Sequence, residues 1–475
     1  MKARVALISS PLSLSERYGN FSAAANTEPS FGLACLAAVA MRQGAHVAII
    51  EASAQNLTIA ETLTKIQRFD PDIVGITATT AGIVAAGKLA QRIKEVRPRT
   101  FCIIGGCHVT ALPEETLNEF QDFDMAVTGE GERTLEEILQ YFQHNKEIPT
   151  ELDGTLVRMN QSIIKNRLRA RIQNLDELPF PAWSLLDGFP EAFRPSPARI
   201  RRWPCASVVL TRGCPNQCVF CDRSVFGQIC RAYSPAYAIR LIKDLRCNFG
   251  VKEILIEDDT FIISRKRVAE FCERIISAKV DISWSCLGRA DRVTPQMLKL
   301  MKKAGCWHIS YGIESGDQNI LKAMKKKLNT EQIRQALCWS KEAGIRTKGF
   351  FMVGFPNETE QSLQATRQLA KLLPLDDISV MQLTPFPGSE LFKMAEQYGS
   401  FDQNWRMMNT LRTVFVPRGF SKKDIEAASG KMIRQFYLRP TMVLNQFLHV
   451  IRNPRLALTV LRGLPDFLKI VVEVR

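Results

Sequence analysis

Three cysteines in the stretch TRGCPNQCVFC, Cys214, Cys218 and Cys221, are the residues whose type and spacing specify chemistry most directly. They follow an apolar run from Ser207 to Leu210. A C-x-x-x-C-x-x-C spacing lets three thiolates converge on three corners of a cubane 4Fe-4S cluster, whereas an electron-transfer cluster usually takes four cysteines. One iron is then left open to bind a substrate or cofactor. Phe220, just before the last cysteine, is placed to shield the cluster's flank. The alternative, a structural zinc site, needs a fourth ligand close by, and Cys205 and Cys230 sit awkwardly for that role.

This pattern resembles the radical S-adenosylmethionine (SAM) enzymes. The resemblance implies that the open iron holds the amino and carboxylate groups of SAM. The elements that must position such a site follow in order: candidate strands at 207–211, 253–257, 282–286, 307–312, 348–353 and 377–382 alternate with helical patterns. Six such units suggest a partial, TIM-like (β/α)6 barrel, whose active site belongs at the carboxyl ends of its strands.

Those ends carry suitable groups. Glu257, Asp258 and Asp259 follow the second strand and can accept hydrogen bonds from an ammonium group. Arg289, in GRAD after the third, can fork onto a carboxylate. Glu314, in YGIESG after the fourth, can accept ribose hydroxyls. The resemblance implies SAM binding by Phe220, Asp258, Asp259, Arg289 and Glu314. Each also has a local alternative: an aspartate capping the helix that begins near Ser264, Arg289 pairing with Asp291, and Glu314 as a turn acid. Cys286 and Cys306, inside apolar strands, are expected to pack rather than react.

In the first 145 residues, apolar runs at Val5–Ile8, Val47–Ile50, Ile73–Ile76, Cys102–Ile104 and Met125–Val127 alternate with helical patterns. Such alternation predicts a parallel sheet covered on both faces, a Rossmann-like, flavodoxin-like α/β domain. Its ligand loops gather at the carboxyl edge: SSPLS, TATT, GGCHVTALPEE and TGEGE. With PSFGL before a helix, these loops resemble the cobalamin-binding domain that precedes the barrel in the cobalamin-dependent members of the radical SAM family. The resemblance implies cobalamin contacts from Ser9, Pro11, Phe31, Gly32, Thr77, Gly105, Gly106, His108, Gly129, Glu130 and Gly131. No D-x-H-x-x-G occurs, so cobalamin is expected to bind without a histidine supplied by that motif.

At 475 residues the chain is too long for one ordinary core. Its expected division is a cobalamin-binding domain at 1–145, a proline-spaced linker at 146–199, a barrel at 200–400 and a helical region at 401–475. Thirteen cysteines without a signal peptide read as reduced cytoplasmic thiols. A formal charge of +15 admits nucleic acid, anionic membrane or acidic small molecules as partners. From Lys431 onward eight Lys or Arg stand against Asp466 and Glu473, interleaved with apolar residues. That pattern suits either peripheral contact with the inner membrane face or a helical lid.

The resemblance implies a methyltransferase. A 5′-deoxyadenosyl radical from SAM activates an inert carbon, and methylcobalamin methylates it. The partners implied are a small-molecule or lipid-like substrate and an electron donor such as flavodoxin or ferredoxin, with no nucleic acid. The alternatives are a cyclase or oxidoreductase like the anaerobic magnesium-protoporphyrin ester cyclase, and a noncatalytic cobalamin or cluster sensor.

Overall fold

The computed structural model describes residues 2–19, 26–160, 162–195, 199–440 and 442. The amino-terminal sheet contains β1 (Arg4–Ser9), β2 (His46–Ile50), β3 (Ile73–Thr77), β4 (Phe101–Gly105), β5 (Met125–Val127), β6 (Thr155–Met159) and β7 (Ser162–Lys165). Their spatial order is β2-β1-β3-β4-β5-β6-β7. The first five strands are parallel, and β6 and β7 join as an antiparallel hairpin. Parallel strands are buried on both faces and need apolar residues at successive positions. The runs in β1, β3 and β4 supply them. Helices Phe31–Arg42 and Gly131–Asn145 cover one face through residues such as Leu33, Leu135 and Ile138. Helices Ile59–Phe69 and Ile83–Val96 cover the other through Leu63, Ile66, Ile83 and Leu89.

The order 2-1-3-4-5 is that of a flavodoxin-like sheet, with a topological switch point between β1 and β3 where such sheets bind ligands. All five apolar runs expected as strands are strands. The region expected as a linker over 146–199 begins with the β6–β7 hairpin, which widens the first sheet. The rest of that region is irregular and anchored. Ala182 donates its N–H to the Ala34 carbonyl at 2.9 Å, and buried Trp183 stacks on Phe189 at 4.9 Å.

The second sheet has six parallel strands: Cys205–Val208, Glu253–Ile256, Ser283–Gly288, Cys306–Glu314, Arg346–Val353 and Asp377–Gln382. They run in chain order across the sheet, and its first and sixth strands form its two edges. This is the expected partial barrel. Ile254, Ile256, Trp284, Ile309, Tyr311 and Phe351 join the core beneath the helices, so the alternate positions Ser207, Ser285 and Ser310 face inward. Cys286 and Cys306 are buried in that core, as expected. The first strand stops at Val208. Thr211–Arg212 then pairs antiparallel with Arg231–Ala232, a ladder that brackets the cysteine loop.

The helical pattern expected beyond residue 400 begins later. Gly399–Phe401 pairs with Phe415–Pro417 around a turn-rich segment, and helix Lys422–Tyr437 then covers the barrel through Ile425, Met432 and Phe436. Apart from Met442, the basic tail from residue 441 onward lies outside the described residues. Among the described residues, no helix is long and apolar enough to cross a membrane.

Candidate functional site

The carboxyl edges of the two sheets open onto one cavity of about 580 Å³. On the amino-terminal side its wall includes Ser9, Phe31, Gly32, Thr77, Gly105, Gly106, Gly129, Glu130 and Gly131. The barrel side contributes Ser207, Val208, Arg212, Phe226 and Glu257. Nine of the eleven residues expected to touch cobalamin therefore line one space, across the switch point of the sheet. Pro11 and His108 are not in that wall. His108 is buried on the far side of its loop. Its Nδ1 lies 3.3 Å from the Thr80 hydroxyl and its ring centroid 5.1 Å from that of Trp405. Burial lowers its pKa to about 4.

Gly106 explains why this wall can approach a large ligand. Its φ is +110°, and a Cβ there would meet the Ala78 carbonyl at 2.6 Å. Only glycine fits that position without moving backbone. Glu28 from the amino-terminal side and Glu257 from the barrel side both line the cavity, and Arg199 pairs with each of them.

The cysteine loop is held from several sides. Cys214 donates its N–H to the Gly227 carbonyl, and Val219 donates to the Met324 carbonyl at 3.1 Å. Gly213, at φ +89°, is enclosed by the carbonyls of Phe226, Gly227 and Ile229. The two aspartates after the second barrel strand brace the same loop. Asp258 accepts from the Leu210 N–H at 2.5 Å and Asp259 from the Gly213 N–H at 2.9 Å. Asp258 is fully buried, and desolvation raises its carboxyl to about 7. Neither aspartate caps the following helix, which Ser264 caps instead.

The thiols themselves suit metal ligation. The Asn216 amide lies 3.1 Å from the Cys214 sulfur. Cys218 shares a hydrogen bond with Cys221, and that bond, with Lys326 and Arg289 nearby, lowers the Cys218 thiol to about 6 against the opposing effect of burial. The same shared proton pushes Cys221 up. Among the described residues no three His, Cys, Asp or Glu side chains gather around a single ion. A cubane does not require that, because each thiolate takes a different iron. The donor set fits an iron-sulfur cluster.

Phe220, Arg289 and Glu314 meet at Lys326, which sequence reasoning missed. The Lys326 ammonium lies 2.6 Å from Glu314 and 5.8 Å from the Phe220 ring centroid. Burial works against this ammonium, but Glu314 and Cys218 more than offset it and its pKa is raised. Arg289 donates to the Lys326 carbonyl at 2.8 Å and also pairs with Asp291 at 3.0 Å; the local alternative places this pair on the surface, but both side chains are largely buried. Glu314 holds φ at +67° beside a break in strand register. Such strain in a buried non-glycine residue persists where the surroundings enforce it, commonly at functional sites.

With both sites in view, comparison with known proteins is decisive. Residues 208–370 match the Radical SAM superfamily, and residues 20–139 match the B12 binding domain. An uncharacterized methyltransferase from Pyrococcus horikoshii is 34% identical over 420 residues, spanning 88% of this chain and 90% of that one. The chain belongs to the cobalamin-dependent radical SAM enzymes. An anaerobic magnesium-protoporphyrin IX monomethyl ester cyclase from Cereibacter sphaeroides is 27% identical over 385 residues, covering 80% of this chain and 62% of that one. The structure of OxsB, a cobalamin-dependent SAM radical enzyme with aqua-cobalamin and SAM bound, superposes with a TM-score of 0.73 at 18% identity. This chain spans 66% of the OxsB chain, just under two thirds, and 90% of its own length is covered.

As a member of this family, the protein takes a 4Fe-4S cluster, SAM and cobalamin as cofactors. Where the Gly129–Gly131 loop of the first sheet meets the segment before Cys214, Arg212 bonds Glu130 at 2.8 Å and Glu132 at 2.6 Å, and Arg231 bonds Glu130 at 2.7 Å. Neither arginine was legible as a site residue, because a cation in an unaligned sequence reads as surface charge until the fold buries it.

Proposed function

We propose that this protein transfers a methyl group from SAM to an unactivated carbon of a small organic substrate. The observation that carries the reading is the shared cavity, onto which the glycine-walled edge of the first sheet and the mouth of the barrel both open. When bound, the cluster supplies the electron that splits SAM into methionine and a 5′-deoxyadenosyl radical, and cobalamin supplies the methyl group at the same cavity.

The chain's own residues have separable tasks. Cys214, Cys218 and Cys221 hold the cluster, and Asp258 and Asp259 act as positioning residues that fix the loop through Leu210 and Gly213. Arg289, through guanidinium N–H groups beyond those given to Asp291 and Lys326, binds the SAM carboxylate. Glu314, held in place by its ion pair with Lys326, accepts from a SAM hydroxyl. Phe220 covers the cluster. Gly32, Gly105, Gly106, Gly129 and Gly131 let backbone approach the corrin face, and enclosure between two sheets keeps water from the reacting carbon.

The test is isotopic. Reconstituted protein given methyl-labelled SAM, reductant and candidate substrates should form 5′-deoxyadenosine and a product carrying the label. Formation of 5′-deoxyadenosine with an unlabelled, oxidised or cyclised product would replace methylation by the cyclase reading, which relatives such as the magnesium-protoporphyrin ester cyclase represent. No SAM cleavage at all would overturn both.

A further inference from the structure

The loop that walls the cobalamin side and the loop that carries the cysteines are joined by a buried ionic network. Glu130 sits between Gly129 and Gly131 in the cavity wall. Its Oε1 accepts from Arg212 at 2.8 Å, and its Oε2 accepts from Arg231 at 2.7 Å and from the Ile172 N–H at 3.0 Å. Arg212 also donates to Glu132 at 2.6 Å, and Arg231 to the Ile172 carbonyl at 2.6 Å. All four side chains are at most 7% exposed. Arg212 stands two residues before Cys214 and pairs with Arg231 across the ladder that closes the cysteine loop. Its guanidinium also faces the Phe226 ring at 5.3 Å, and Phe226 lends its carbonyl to the enclosure around Gly213.

Stability alone is a poor account of this arrangement. Two carboxylates and two guanidiniums give no net charge, and taking them out of water costs several kcal/mol per ion before mutual attraction returns it. Apolar residues of similar volume often serve stability as well or better, and the best-attested use of buried ions is fixing register. Here the register fixed is that between Gly129–Gly131 and Gly213–Cys214, two segments from different sheets that serve different cofactors.

We propose that Arg212 and Glu130 are positioning residues that couple the cobalamin and cluster sites, so that filling one site tightens the other. The inference rests on the two-cofactor reading above and adds a thermodynamic link between the two sites. A ligand that stiffens the Gly129–Gly131 loop holds Glu130, and through it Arg212 and the entry to the cysteine loop. Linkage makes the effect reciprocal.

The experiment measures the affinity of cob(II)alamin by equilibrium titration in two states of the full chain, cluster-loaded and cluster-free. It is repeated for Glu130→Gln, Arg212→Lys and Glu132→Gln, with the electron paramagnetic resonance spectrum of the reduced cluster recorded with and without cobalamin. In the unaltered protein the cluster-loaded form should bind cobalamin about fivefold or more tightly. In Glu130→Gln that ratio should fall towards one, and cobalamin should no longer shift the g values of the cluster, leaving only through-space broadening between the two spins. Glu132→Gln leaves both Glu130 contacts in place and should keep most of the ratio. If Arg212→Lys fails to fold, Glu130→Gln, which preserves shape, still decides. An unchanged ratio in Glu130→Gln, or no difference between the two states of the unaltered protein, overturns the coupling. Failure of the unaltered protein to bind cobalamin or assemble a cluster would instead strike the two-cofactor reading itself.

Discussion

The two sides of the candidate site solve the same problem in opposite ways. The amino-terminal wall is made of backbone and small residues, with Gly106 held where no side chain fits. The barrel side carries charged groups already paired with one another: Glu257 with Arg199 at the cavity and, beyond its lining, Glu314 with Lys326 and Arg289 with Asp291 around the cysteine loop. A broad, rigid ligand needs room and close backbone approach, and glycines give both. A small zwitterionic ligand needs charges held in fixed directions before it arrives, so that their desolvation and ordering are met in folding rather than in binding. The first side should therefore fail when atoms are added, and the second when charge is removed.

The largest effect should come from the charged side. Glu314→Leu leaves the Lys326 ammonium buried without its partner, and breaking a buried pair in this way costs on the order of 3–5 kcal/mol. Denaturant unfolding should show that loss, and SAM binding should disappear with it. A Glu314→Leu protein of unchanged stability would mean that the pair is not closed in solution.

Adding atoms to the other side should cost less stability while removing cobalamin. Gly106→Ala forces a left-handed residue against the Ala78 carbonyl, a strain of about 1–3 kcal/mol. Visible absorbance of bound cobalamin should fall sharply, while iron content per chain should hold. Loss of both cofactors together would blur the contrast between the two sides and favour the coupling through Glu130.

A smaller effect depends on pH. His108 has a folded pKa of about 4, depressed by burial, against an ordinary value near 6.5. The unfolded chain therefore binds more protons between those values, and stability is lost as pH falls from about 6.5 towards 4, by about 1–2 kcal/mol at pH 5. His308, lowered to about 3 in the barrel, acts in the same direction. Chemical denaturation at pH 7 and pH 5 should show that His108→Gln reduces the acid sensitivity without abolishing it. An unchanged difference between the two pH values would contradict the burial of His108.

The smallest effect separates affinity from folding. A Cβ at Gly32 meets nothing within 4 Å and the residue lies in a helix, so Gly32→Ala should stabilise by about 0.5–1 kcal/mol. Because Gly32 lines the cavity, the same change should weaken cobalamin binding. A rise in melting temperature with unaltered affinity would remove Gly32 from the contact surface.

Much of this organisation was legible in the sequence, and the misses have physical causes. Strands were readable because parallel strands buried on both faces must be apolar throughout. The hairpin Thr155–Lys165 carries its own signal, TLVRM and SIIK around a turn with Asn160 at φ +54°, but the prolines that follow drew the region towards a linker. Asp258 and Asp259 were placed at the right strand end, yet spacing could not tell that their carboxylates turn back to the cysteine loop. Lys326 lies in a run of three lysines that reads as a solvated face. Only the return of the chain from Gly316 to Leu328 under the cysteine loop buries the middle one. His108 sits in the correct loop, but the helical turn from Cys107 to Ala111 carries its ring away from the cavity and towards Trp405.

The central claim is that the two cofactors bind close together where the carboxyl edges of the two sheets meet, and magnetic interaction tests it most directly. Cob(II)alamin and the one-electron-reduced 4Fe-4S cluster are both paramagnetic, so doubly loaded protein can be compared with singly loaded samples by pulsed electron paramagnetic resonance. The account predicts a resolved dipolar interaction between the two centres in the doubly loaded protein. A spectrum equal to the sum of the two separate ones would contradict it.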